Sequence, residues 1–168
     1  MTILSVTIDA TPDAVWAVLA DFGNIADWNP GLRASHLTAD QREGVGTSRH
    51  CDLLPVGGLD ERVSEWVPGE RMVIDVVGGA TTPIRTARIR FDVAATDAGR
   101  RTLVGLDAEY VTRGGALGST LDALVVRRQL TKGFQGLLAG LKHHVETGET
   151  RTPSRKLPID AVRASAGS

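Results

Sequence analysis

The residues with most to offer chemically are a base and an acid on successive strand-like stretches, Arg49 and Glu61. Arg49 alternates in phase with Thr47, Cys51 and Leu53, and Glu61 with Leu59 and Val63. Each charge therefore shares the inward face of its strand with apolar neighbours. A guanidinium or a carboxylate is expensive to bury alone, so two facing one apolar space would pair or would fix a polar ligand. Two uses stay open: an ion pair bracing the mouth of a barrel, or ligand oxygens held directly or through water. In a catalytic use, Glu61 or Tyr110 would move protons while Arg49 stabilised an enolate.

Arg33 and Arg85 are further candidate anchors, and either becomes a surface charge if its strand slips by one residue. Tyr110 offers a phenol as acid or hydrogen-bond donor, against the plainer role of core packing with its hydroxyl at the rim. Cys51 reads as a small core residue. An apolar ligand space would be lined by Leu53, Leu59 and Val63, by Ile74 and Val76, and by Ile89, Phe91 and Leu106. Phe134 and Leu138 would face it from the last helix.

Other chemistries find no support. The four histidines make no metal site, since His143 and His144 are adjacent on a helix and diverge by about 100°. A single cysteine rules out an intrachain disulfide and a cysteine-based cluster. No nucleophile elbow, phosphate loop or dinucleotide fingerprint is present, so no cofactor is expected. A net charge of −1 gives no field to draw in nucleic acid or an anionic membrane.

The elements that must position these residues follow from periodicity. Leu4, Val6 and Ile8 alternate in a first strand, and Thr11-Pro12-Asp13 opens a helix with an N-cap, a proline at the first position and an acid in the first turn. After the break at Gly23 and the stop at Asn29-Pro30-Gly31 come stretches 32–39, 46–54, 58–67, 71–77, 83–95 and 102–112, seven strands in all. Short turns between them imply antiparallel neighbours, and their alternation gives one dry and one wet face. A helix over about 117–145 closes the domain, some 40 Å long, with a stripe of Leu130, Phe134, Leu137, Leu138, Leu141 and Val145.

Gly133, Gly136 and Gly140 sit beside that stripe at a cost of about 0.8–1 kcal/mol each, which close approach of the sheet or room for a ligand would offset. Leu121, Leu124 and Val125 lie out of phase with it and could form a contact surface, as for a homodimer. Residues 148–168 lack a periodic stripe and are expected to be a flexible tail outside a single domain of residues 1–147. The start lacks the marks of a signal peptide and no apolar run is long enough to span a bilayer, so the chain is expected to be soluble and cytoplasmic.

Thr11-Pro12-Asp13-Ala14-Val15-Trp16, Asp21-Phe22-Gly23, Trp28-Asn29-Pro30, Gly44-Val45-Gly46-Thr47-Ser48-Arg49 and Glu61-Arg62-Val63 together resemble the START-like, birch-pollen-allergen-like superfamily (SRPBCC). The resemblance is to its bacterial polyketide cyclase/dehydrase branch and covers about residues 2–147. It implies an α+β helix-grip fold: a curved seven-stranded antiparallel sheet around the long last helix, with two short helices after the first strand and a ligand cavity between. It also implies binding of a polyketide, lipid, sterol or quinone-like molecule. A cyclase, aromatase or dehydratase is the alternative, and a partner-regulating interaction protein a third.

Leu54-Pro55-Val56-Gly57 looks like the gate loop of the plant abscisic-acid receptors. Glu61 falls where those receptors place a cavity glutamate, and Arg33 near their anchoring lysine. The loop at 78–83 lacks their His-Arg-Leu latch, which argues against a hormone-receptor role.

Overall fold

The structure is a computed structural model that describes residues 1–113, 120–150 and 157–164, the side chains of 120–123 excepted. Strand β1 (Thr2–Ile8) buries Leu4, Val6 and Ile8 on one face. Helix α1 (Pro12–Ala20) starts at Thr11, whose Oγ1 accepts the Ala14 amide at 3.4 Å, and buries Val15 and Leu19. A 3₁₀ segment (Phe22–Asp27) follows, with Phe22 and Ile25 buried.

Six strands succeed it: β2 (Leu32–Leu37), β3 (Ser48–Leu53), β4 (Gly58–Val67), β5 (Arg71–Gly78), β6 (Ile84–Thr96) and β7 (Arg101–Thr112). Helix α2 (Thr120–Thr147), a 3₁₀ turn (Ile159–Ala161) and a two-residue strand β8 (Arg163–Ala164) follow. From β2 to β7 each strand pairs antiparallel with the next, and β1 pairs with β7 and β8, giving the order β2-β3-β4-β5-β6-β7-β1-β8.

The sheet thus has eight strands rather than the seven read from the sequence. The eighth comes from the segment expected to be a free tail: Ala164 pairs with Leu4 and Arg163 with Ser5, while Val162 is buried. No side-chain pattern announces a strand of two residues; the open edge of β1 supplies the reason for it.

The dry face behaves as its alternation demands. Ala87, Ile89, Phe91 and Val93 of β6 are buried, as are Val104, Leu106 and Ala108 of β7. The opposite face carries ion pairs such as Arg88 with Asp75 at 3.0 Å and Arg71 with Asp92 at 2.7 Å. Exposed pairs of this kind contribute about 0–1 kcal/mol each. Helix α2 covers the dry face with Phe134, Leu137, Leu138 and Leu141. Its far end is pinned to the end of β1, where Lys142 Nζ donates to the Thr7 carbonyl at 2.9 Å and Glu146 accepts the Asp9 amide at 2.7 Å. Leu124 and Val125 are exposed, whereas Leu121 lies outside the described side chains.

The glycines of α2 have different reasons. A Cβ on Gly140 would lie 2.0 Å from the Trp28 carbonyl oxygen, and one on Gly136 would lie 3.5 Å from Pro30. The helix therefore approaches the Trp28-Asn29-Pro30 turn closely, rather than the sheet. A Cβ on Gly133 would meet nothing within 4 Å.

Candidate functional site

Arg49 on β3 and Glu61 on β4 are register partners on the dry face, 3% and 8% exposed. Arg49 donates from Nε to one carboxylate oxygen, Glu61 Oε2, which Nη2 also meets as an ion pair, and from Nη1 to the Phe22 carbonyl. Its guanidinium lies over the Phe22 ring with Cζ 3.7 Å from the centroid, a cation–π contact. One side chain thereby ties the 3₁₀ segment to the sheet. Cys51 completes the group, its thiol donating to Glu61 Oε2 at 3.8 Å. Burial, reinforced by the Glu61 carboxylate, pushes the Cys51 thiol up to about 12. A thiol held neutral in this way is a core group and not a nucleophile.

Next to this group lies a cavity of about 270 Å³ between the sheet and α2. The sheet contributes Leu53, Leu59, Glu61, Val76, Ala87 and Ile89, and the helix Gln129, Leu130, Gly133, Phe134 and Leu137. Asn29, Gly31, Leu32, Leu54 and Thr82 to Ile84 form its rim. Glu61 is the single ionisable side chain among the described residues that line it. The hydrogen bonds that Glu61 accepts from Arg49 and Cys51 both end on Oε2, and Oε1 has no hydrogen-bond partner among the described residues. Behind Glu61 a second hollow of about 20 Å³ is bounded by Arg49, Ile74, Phe91, Met72, Trp28 and Phe22. That is room for a single water.

The mouth is made by two loops. Leu53 and Leu54 amides donate to the Gly57 and Gly31 carbonyls, at 2.8 and 2.9 Å. Thr82 Oγ1 bonds the Gly79 and Ile84 carbonyls at 2.8 and 2.9 Å. The loops touch each other at Gly57, where φ is +112° and a Cβ would lie 3.0 Å from Thr81 Oγ1.

The expected site residues therefore separate into groups. Glu61, Leu53, Leu59, Val76, Ile89 and Phe134 line the larger cavity, and Arg49, Ile74 and Phe91 the smaller. Cys51, Val63, Leu106 and Leu138 are buried in the core and line neither. Tyr110 is half-buried, its ring 6.3 Å from that of Phe134 and its hydroxyl 3.4 Å from Thr2 Oγ1, outside both cavities.

Arg33 and Arg85 are exposed and do not face the hollow. Each stands at a shift in strand register, between Leu32 and Ala34 and between Ile84 and Thr86, and the bulge turns the side chain outward. Arg33 instead braces the mouth by donating to the Pro55 carbonyl at 2.7 Å.

Asn29, Thr82 and Gln129 enter the lining without having been named as site residues, and Leu130 enters it from the apolar stripe of the helix. For Gly133 the helix-interior glycine was the signal. Among the described residues no three His, Cys, Asp or Glu side chains converge on one point, and no helix is long and apolar enough to cross a membrane.

A wider groove of about 820 Å³ runs along the outside, between α1 and the loop before β3. Trp16 and Trp66 meet edge to face there with centroids 5.3 Å apart. Its walls also carry exposed Asp21, Asn24, Arg42 and Glu43, so its lining is polar. The smaller cavity beside α2 has the apolar lining and convergent polar group of a ligand site.

Among solved structures, the fold is similar to that of a START superfamily protein from Mycobacterium smegmatis, with a TM-score of 0.70 and 15% identity over 87% of this chain and 98% of that one. Ara h 8.0201 aligns with a TM-score of 0.64 and 14% identity, covering 85% of this chain and 95% of its own. DynU16, a protein of the dynemicin biosynthetic locus, gives 0.66 and 21% over 92% of this chain and 49% of that longer one. At these identities the likeness shows the helix-grip fold. No curated protein matches the sequence. The family described as polyketide cyclase / dehydrase and lipid transport matches residues 4–146, from the first strand to the end of α2, and the chain belongs to that family.

Proposed function

We propose that the protein binds a hydrophobic small molecule, of polyketide, lipid, sterol or quinone type, in the cavity between the sheet and α2. One observation carries this reading: the chain leaves about 270 Å³ unfilled beside its core, walled by Leu, Val, Ile and Phe side chains. The volume lies near the lower end of the ~300–1,000 Å³ found for small-molecule sites, so it suits compact members of those classes. Gly133 supports the same reading, because its missing side chain keeps one wall of the cavity open at a cost to the helix.

The reading is tested by thermal shift and native mass spectrometry with compact aromatic and quinone probes. A ligand at a hundred times its Kd should add about 2.7 kcal/mol of stability. If none of these probes shifts the melting temperature or appears as a bound species, the reading fails.

A second reading, a cyclase or dehydratase, is supported by the carboxylate that Glu61 presents to the cavity. Such a group can take a proton from a carbon acid folded against it. Turnover that survives Glu61→Gln would remove that reading. Exposed Leu124 and Val125 support a homodimer contact, which light scattering would test.

A further inference from the structure

We infer that the cavity selects a ligand whose buried end is an uncharged hydrogen-bond donor, a phenol or alcohol, and rejects carboxylates and phosphates. The inference rests on the cavity being the ligand site and adds the chemistry of the group that reaches its floor.

Glu61 is more than nine-tenths buried and lines the cavity. Its Oε2 is occupied by Arg49 Nε and Nη2, which leaves Oε1, an acceptor with no partner among the described residues. Arg49, the natural partner for an anion, lines only the smaller hollow behind Glu61 and spends Nη1 on the Phe22 carbonyl. No Lys, Arg or His is among the described residues lining the larger cavity. Arg33 and Arg85, the arginines read from the sequence as anchors, are turned outward at their bulges.

An anionic head group would therefore lose its hydration and face a carboxylate with no cation in reach. A buried ammonium fares little better, since Arg49 already balances the charge of Glu61. A hydroxyl can donate to Oε1 in a charge-assisted bond and adds no charge to the site.

The test compares three two-ring probes of similar size by isothermal titration of the full chain at neutral pH. These are 2-naphthol, which donates; 2-methoxynaphthalene, which is neutral and cannot; and 2-naphthoate, which is anionic. The expected order is naphthol about tenfold tighter than the methyl ether, with naphthoate weakest. Naphthol no tighter than its ether, or naphthoate equal to or tighter than the ether, overturns the inference while hydrophobic binding stands. No binding of any of the three overturns the binding reading as well. In Glu61→Gln, which offers an amide donor without the charge, naphthoate should gain at least about tenfold relative to the ether. Should that variant fail to fold by circular dichroism, the wild-type series still decides.

Discussion

Arg49 stands directly across from Glu61 in the pairing of β3 with β4, and its Nε donates to Oε2, the same oxygen that Nη2 meets as an ion pair. The pair is buried, so each charge depends on the other. Glu61→Ala leaves an uncompensated guanidinium in the core and should cost about 3–5 kcal/mol, read from urea melts. Replacing both residues, as Arg49→Met with Glu61→Leu, should cost much less or stabilise, because neither charge then needs solvation. A double mutant as unstable as the sum of its single mutants would mean that the two side chains act independently.

Gly133 and Gly140 lie two turns apart on α2 and should respond to alanine in opposite directions. At Gly133 the new methyl meets nothing within 4 Å, so Gly133→Ala should stabilise the ligand-free protein by about 0.8–1 kcal/mol. At Gly140 the methyl would fall 2.0 Å from the Trp28 carbonyl oxygen, and the turn carrying Trp28 and Pro30 must move. That variant should lose about 1–3 kcal/mol or more through overpacking. Larger residues at 133, such as Gly133→Leu, should progressively weaken binding of a cavity ligand. Paired thermal melts and ligand titrations check both halves.

Much of this arrangement was legible in the residues because burial on one face of a sheet imposes a period of two. Ala87, Ile89, Phe91 and Val93 repeat at that period and are all buried, and the inward positions of Arg49 and Glu61 follow from their apolar neighbours. The long helix was legible from its stripe, and it runs Thr120–Thr147 among the described residues. What escaped the pattern was where register breaks. A bulge adds a residue without changing composition, so the outward turn of Arg33 and Arg85 had no signature. The brief β8 escaped because backbone pairing alone defines it. The rim residues Asn29 and Thr82 escaped because loops place them by tertiary contact, and Gln129 because a polar residue on α2 carries no sign of facing the cavity.

Thr47 shares the inward face of the sheet with Arg49 and is fully buried, yet its Oγ1 has no hydrogen-bond partner among the described residues. A hydroxyl left unsatisfied in the interior costs about 1–3 kcal/mol. Thr47→Val keeps the branched shape and removes the polar atom, so it should leave stability unchanged or raise it by up to that amount. An urea melt showing clear destabilisation would mean that the hydroxyl is hydrated by a bound water, which a high-resolution crystal structure would reveal.

Cys51 supplies a pH dependence whose sign follows from its burial beside Glu61. The unfolded thiol titrates at its ordinary 9.0, whereas in the folded protein it stays protonated to about 12. Between those values the unfolded chain binds fewer protons than the folded one, so stability must fall as pH rises. The contribution is fully present below pH 9.0 and is lost progressively toward about 12. Tyrosine and lysine also titrate in that range, so the readout is the difference between wild type and Cys51→Ala across a series of alkaline urea melts. Wild type should lose stability more steeply with pH than the variant. Parallel curves would show that the thiol ionises as freely inside as outside, through an opening that reaches Glu61 and Arg49. Slow reaction of Cys51 with a thiol reagent below pH 9.0, accelerating only in denaturant, would agree with the closed arrangement.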